Sequence, residues 1–445
     1  MTPGARIQAA IALCEKIEAA PVPADGVIAG YFRKRRYAGA KDRRAVIGQV
    51  YNLLRRRARL DWRIREAGHG PSPRARLIAY LALCHENLGE ETPAPGIEAA
   101  FFTGERHCPA PLNAGEQALA RLEPPLERPS MPSWTAFEYP EWLDGRLRQA
   151  FGGSLDGEMA ALNEPAPLDV RVNALKGSRR EAAQALADEG VDAAPTRLSP
   201  QGLRISGRVR LDSTAAFRGG LIEVQDEGSQ LIALLTGAEP GMAVLDLCAG
   251  AGGKTLALAA AMKGSACGKK ASGELAASDV SERRMAAMKK RLVRAGAGQI
   301  ERHVFAPDDD PWLAQNRERF DRVLADAPCT GSGAWRRDVT AKWRLNMGEM
   351  RNVIASQRQI LSKASRLVKA GGRLVYATCS ILTAENEDQI QWFQETHTGF
   401  TIIPAPKAWE ETIGGACPCG GSFLRLSPAS TGTDGFFAAV LERKG

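Results

Sequence analysis

Ala243-Val-Leu-Asp-Leu-Cys-Ala-Gly-Ala-Gly-Gly-Lys-Thr-Leu-Ala257 is the stretch that decides the fold. Its apolar opening, Ala243 to Leu247, has the length of a buried strand. Gly250, Gly252 and Gly253 come next, and the Ala/Leu-rich run Thr255 to Met262 reads as a helix. Strand, glycine turn and helix N-terminus together predict a cradle for an adenosine cofactor. Glycines let backbone approach a ligand closely, and free helix N–H groups face its polar parts. Gly253-Lys-Thr255 imitates the end of a phosphate-binding P-loop, but that pattern needs a glycine where Cys248 stands. The strict G-x-G-x-x-G dinucleotide spacing is absent too.

Downstream, strand and helix patterns alternate. Glu274 to Ser278 is predicted as the next strand, ending at Asp279, where a nucleotide-type fold holds ribose hydroxyls. The Ser281 to Ala295 run is a charged helix, and Arg302 to Phe305 a third strand leading into Asp308-Asp309-Asp310. Arg322 to Ala325 is a fourth strand, followed by Asp326-Ala-Pro-Cys329. The long helix Arg351 to Lys369 precedes a fifth strand, Arg373 to Thr378, which runs into Cys379. The alternation predicts an α/β, doubly wound, mostly parallel sheet with ligands at the carboxyl ends of its strands. Lys263 to Gly273 reads as a mobile Gly/Lys/Ser-rich loop.

Upstream the pattern differs. Ala5 to Ala20, Arg43 to Ala58 and Arg74 to Glu91 carry apolar residues at helical spacing. Residues 1–130 are therefore read as an all-α binding domain. A proline-rich linker and short helix follow over 131–150, then an α+β subdomain over 151–235, and the doubly wound domain over 236–445. In the subdomain, Leu168 to Asn173, Gly202 to Ile205 and Leu221 to Gln225 are predicted strands. Arg171 and Asn173 are either substrate contacts or an ordinary solvent-facing pair.

Charge points to a polyanionic partner. Arg33 to Glu66 holds thirteen Lys/Arg against three Asp/Glu, a net of +10, while the whole chain carries +8. Basicity is thus concentrated in one patch, the footprint of phosphate-backbone contact, the alternative being a solvated helix face. No apolar run approaches a membrane span, and the nine cysteines are scattered. A cytoplasmic location with free thiols is the expectation. Only Cys417 and Cys419 lie close together, without a second pair to complete a metal site.

Two of those cysteines, Cys329 and Cys379, follow predicted strand ends that open on the same crevice. A buried cysteine is commonly a small hydrophobe. A pair beside Asp326 and a cofactor turn suits covalent catalysis instead. A thiolate adding to carbon 6 of a pyrimidine makes carbon 5 electron-rich, an acid steadies the ring, and a base removes the carbon 5 proton.

These residues resemble the NOL/NOP/Sun family of RNA cytosine-5 methyltransferases, in particular its RsmB-like bacterial branch. The likeness rests on Asp246 to Thr255, Asp326-Ala-Pro-Cys329, Ala377-Thr-Cys-Ser380 and Thr433-Asp-Gly-Phe-Phe437, with Arg171-Val-Asn173 and Val224 to Gln230 upstream. It implies a class I S-adenosylmethionine-dependent methyltransferase, Rossmann-like, behind a NusB-like RNA-binding domain. By resemblance Cys379 is the nucleophile, Cys329 releases the product, and Asp326 holds the cytosine ring. Cofactor contacts would come from Cys248, Ala249, Gly250, Ala251, Gly252, Gly253, Lys254, Asp279, Asp308 and Asp326. Ala251 stands where relatives commonly carry proline, and Pro307-Asp-Asp-Asp310 departs from the usual pattern. The implied partner is ribosomal RNA, with transfer RNA second, its target base flipped out of the stack; no metal is implied, and nothing calls for more than a monomer. Competing readings are another methyl acceptor, DNA cytosine included, a catalytically silent ribosome-assembly factor and a nucleotide-dependent oxidoreductase.

Overall fold

The computed structural model describes residues 1–84, 101–207, 209–263, 273–306 and 310–445. They form two compact units, one of residues 1–164 with 335–345, the other of 165–334 with 346–445.

Described helices of the first unit include Pro3–Ala19, Ala24–Arg33, Ala40–Leu54, Arg57–Glu66 and Pro73–Leu83. Thr2 and Ser72 cap the first and last of these, each side chain accepting a backbone N–H of the first turn. Pro73–Leu83 is apolar nearly all round and buried from Ala75 to Leu83, the pattern of a central core helix. Val46, Val50, Leu53, Leu60 and Ile64 pack around it. The predicted helix Arg43 to Ala58 is in fact two, broken at Arg55 and Arg56. The far end of the predicted Arg74 to Glu91 helix and most of the Lys263 to Gly273 loop lie outside the described residues.

The basic patch divides where that break falls. Arg33, Lys34, Arg36, Lys41 and Arg44 are exposed. Arg55, Arg59 and Arg63 instead turn inward. Arg55 donates to the carbonyls of Asn163 (2.5 Å) and Arg336 (2.9 Å). Arg59 meets the fully buried Glu138, whose carboxylate also accepts from the amides of Ala58 and Arg59. Arg63, itself buried, donates to Pro125 and Glu123 carbonyls. The exposed cations thus lie mainly in the first half of the patch, with Arg65 exposed in the second, while Arg55, Arg59 and Arg63 are internal bracing. A guanidinium carries five donors in a fixed fork, which suits it to gathering carbonyls from several segments.

In the second unit a four-stranded antiparallel sheet has the order β2-β3-β1-β4, with β1 Leu168–Val172, β2 Ala193–Pro195, β3 Gly202–Ile205 and β4 Ile222–Val224. The main sheet begins with β5 Ala243–Asp246, β6 Glu274–Asp279, β7 Glu301–Val304, β8 Phe320–Asp326 and β9 Val368–Thr378, all parallel neighbours. It continues with β10 Phe400–Ile403, β11 Leu424–Leu426 and β12 Phe436–Arg443, which pair antiparallel. The order is β10-β12-β9-β8-β5-β6-β7, with β11 also on β12. Leu374, Val375, Tyr376 and Ala377 are buried in succession, as expected of a strand covered on both faces. The order reverses between β5 and β8, so the crevice above their carboxyl ends is the natural ligand site. The upstream and C-terminal motifs meet in this unit: the Asp226 carboxylate caps helix Glu227–Leu235 and accepts from the Asp434 amide at 3.2 Å.

Candidate active site

The turn after β5 is built as its glycines require. Gly250 has φ +55° and Gly252 φ +82°, both left-handed, and Gly252 caps helix Gly253–Met262. A Cβ on Gly252 would stand 2.5 Å from Met288 Cγ. Behind the turn, Thr255 Oγ1 donates to Asp246 Oδ2 at 2.7 Å, while Asp246 Oδ1 is buried without a partner. Burial pushes the Asp246 carboxyl up to about 7. At the end of β6, Asp279 accepts from the Gly250 amide (2.9 Å) and the Ser281 amide (2.8 Å) and pairs with Arg284.

These groups line a cavity of about 480 Å³ that reaches Cys329 and Cys379. Asp246, Cys248, Ala249, Gly250, Ala251, Gly253, Lys254, Asp279, Asp326, Cys329 and Cys379 all border it. Gly252 does not; it forms the back of the turn against Met288. Asp308 lies outside the described residues. Val280, Phe305 and Ile360 supply an apolar wall that sequence patterning did not single out.

At the far end, Cys329 Sγ and Cys379 Sγ are 3.2 Å apart. The hydrogen bond to Cys379, together with burial, holds the Cys329 thiol well above its ordinary range. Lys254 Nζ lies 2.6 Å from Asp326 Oδ2. Burial works against its charge, but the Asp326 carboxylate outweighs this and raises the Lys254 pKa, with Cys379 adding to the effect. The ammonium thus stands among the cofactor turn, the acid and one thiol.

Arg171 and Asn173 are neither solvent-facing nor on the cavity wall. Arg171 is 1% exposed, bonded to Gln225 Oε1 at 2.6 Å, and Gln225 in turn borders the cavity. Asn173 Nδ2 ties the carbonyls of Gly220 and Ala295. Arg171 on β1 thus braces the cradle through Gln225, while Asn173, just past the end of β1, ties two neighbouring segments together. Cys419 is occupied locally, its thiol donating to the Arg425 carbonyl. Among the described residues no group of three His, Cys, Asp or Glu could hold a metal ion, and no helix is long and apolar enough to cross a membrane.

The cradle fits S-adenosylmethionine: a glycine turn that backbone can line, an acid at the end of the second strand, and an unpartnered carboxylate oxygen beside them. Fold and site together define a class I S-adenosylmethionine-dependent methyltransferase.

Residues 233–442 match the family described as 16S rRNA methyltransferase RsmB/F, and residues 139–212 match the ferredoxin-like domain of RsmF/B-like methyltransferases. The chain is 29% identical over 418 residues to a probable ribosomal RNA small subunit methyltransferase B of Synechocystis sp., covering 90% of this chain and 91% of that protein. Against the ribosomal RNA small subunit methyltransferase B of Pasteurella multocida it is 31% identical over 309 residues, 68% of this chain and 65% of the other. Among solved structures, PH0851 is 28% identical with TM-score 0.76, covering 100% of this chain and 99% of that one. A methyltransferase homolog protein from Pyrococcus horikoshii, also 28% identical, has TM-score 0.57 over 71% of this chain and 100% of its own. The chain belongs to the RsmB/F methyltransferase family.

Proposed function

We propose that this protein methylates carbon 5 of a cytosine in small-subunit ribosomal RNA through a covalent adduct between Cys379 and carbon 6 of the base. The observation that carries this reading is the contact of the two sulfurs, 3.2 Å apart, on the wall of the cofactor cavity. Bound S-adenosylmethionine would supply the methyl group, and the turn from Cys248 to Lys254, with Asp279 for the ribose and Asp308 for the adenine, would hold it.

The chain's own residues do the rest. The Cys379 sulfur adds to carbon 6, and the electron pair of the 5,6 double bond becomes available at carbon 5. Asp326 binds the polar edge of the ring, and Lys254 steadies that carboxylate while facing the attacking sulfur. After methylation the carbon 5 proton must leave, its electron pair re-forming the double bond as the carbon–sulfur bond breaks. Cys329, 3.2 Å from Cys379 Sγ on the cavity wall, gives its own thiol proton to solvent and then as thiolate takes the carbon 5 proton. The base must be unstacked to reach both sulfurs. Residues 1–130 provide phosphate contacts through the exposed part of the basic patch.

The test is transfer of label from S-adenosylmethionine to unmodified 16S ribosomal RNA, with unmodified transfer RNA in parallel and nucleoside analysis of the product. The expected result is 5-methylcytidine in the ribosomal RNA. Label on another base, on transfer RNA alone, or on neither RNA contradicts the proposal.

A further inference from the structure

One buried acid lies outside every role given above. Glu385 is 0% exposed, on the short turn Thr383–Glu385 that follows β9. Its Oε2 accepts from the Thr330 amide at 2.8 Å and from Gln357 Nε2 at 3.1 Å. Its Oε1 accepts from Thr330 Oγ1 and from Ser380 Oγ, each at 2.5 Å. Thr330 is the neighbour of Cys329, and Ser380 the neighbour of Cys379. The same Gln357 amide also donates to the Pro328 carbonyl, on the other side of Cys329.

We propose that Glu385 is a positioning residue whose carboxylate clamps the segment carrying Cys329 to the segment carrying Cys379, and so sets the separation of the two sulfurs. The inference rests on the reading of those cysteines as the reactive pair. Four donors converge on two oxygens, and a carboxylate offers acceptor capacity on both. Glutamine has the same length but presents an NH2 toward donors, so at least one strand of the clamp must open. Other links between the segments include the Gly333 amide on the Cys379 carbonyl at 2.9 Å and the Ser332 hydroxyl, which meets the Ser380 hydroxyl and the Ile381 amide. Glu385 reaches both cysteine neighbours with one side chain. A lapse in this register matters to chemistry in which one sulfur adds to carbon 6 and the other serves carbon 5, because misplacement by about 1 Å costs on the order of a hundredfold.

The test measures the sulfurs directly in the full-length protein. Limiting diamide oxidises two thiols to a disulfide and is itself reduced to the hydrazine, and peptide mass spectrometry counts the Cys329–Cys379 product. Glu385→Gln is expected to slow this cross-link about tenfold and to lower kcat by ~10- to 100-fold. Affinity for S-adenosylhomocysteine and KM for S-adenosylmethionine are expected to stay within about twofold, since the cradle residues do not touch Glu385. Thr330→Val, which removes one donor and leaves the carboxylate, is expected to give a smaller slowing in the same direction. It carries the test alone should Glu385→Gln fail to fold. Cross-linking at the wild-type rate in the folded variants overturns the clamp, as does an equal loss of cofactor affinity in both. A wild-type protein that cross-links readily but transfers no methyl group to RNA would sink the proposed function and leave the clamp standing.

Discussion

Three glycines of one turn make a graded prediction. At Gly252 an alanine would suffer twice. Its φ of +82° is left-handed, which costs an L-residue roughly 1–2 kcal/mol. Its Cβ would also lie 2.5 Å from Cγ of Met288, a fully buried residue of helix Glu282–Ala295. Overpacking of that kind costs about 1–3 kcal/mol, so Gly252→Ala should lose about 2–5 kcal/mol. Gly250, with φ +55° and nothing within 4 Å of a Cβ, should lose only the backbone share, roughly 1–2 kcal/mol. Gly253 begins the helix without positive φ, and its Cβ would make an ordinary contact 3.8 Å from Gln225 Nε2. Gly253→Ala should therefore be neutral or stabilising by up to about 1 kcal/mol. Hydrogen exchange of β5 and β6 amides reads the opening free energy of this unit. Cofactor affinity should follow a different order, because Gly250 and Gly253 border the cavity and Gly252 does not. Three substitutions with equal costs, or a larger loss at Gly250 than at Gly252, would refute the reasoning.

Asp246 predicts a pH dependence. Its carboxyl is raised from 3.8 to about 7, so the folded state holds this proton more tightly than the unfolded chain, and stability falls as pH climbs between those values. Asp246→Asn should therefore stabilise the apo-protein at pH 8, by on the order of 4 kcal/mol, with the gain gone near pH 4; urea midpoints across pH check it. Arg59→Leu leaves the buried Glu138 carboxylate without its ion pair partner and should cost the first unit about 3–5 kcal/mol in denaturant unfolding. Replacing Arg33, Lys34 and Arg36 together by glutamine should weaken RNA binding and flatten the slope of log affinity against log salt by about 3 while unfolding is unchanged. A salt titration of RNA binding that keeps its wild-type slope would remove the exposed patch from the interface.

What the sequence made legible was local. The β5 strand, its glycine turn and the following helix announce themselves through a short apolar run, three glycines and an alanine-rich stretch. Cys329 and Cys379 could be placed together because parallel strands deliver their carboxyl ends to one edge. Less legible was anything decided by long-range partners. The arginines at 55, 59 and 63 look like those at 33 and 36, yet an internal carboxylate and carbonyls far along the chain draw them inward. Arg171 and Asn173 read from the sequence as substrate contacts or a solvent-facing pair, whereas both side chains are buried against neighbouring segments. Glu385 gave no periodic signal; only the fold brings Thr330, Ser380 and Gln357 to it. The antiparallel pairing of β10, β11 and β12 was hidden for a similar reason, since strand direction depends on connections rather than on residue pattern.

The most direct test of the central claim uses the two cysteine variants with labelled S-adenosylmethionine and unmodified 16S ribosomal RNA. Cys379→Ala should give neither 5-methylcytidine nor an adduct, and Cys329→Ala should accumulate a protein–RNA adduct that survives denaturation. Methylation by Cys379→Ala, or an adduct formed by Cys379→Ala and not by Cys329→Ala, would contradict the assignment of attack and release.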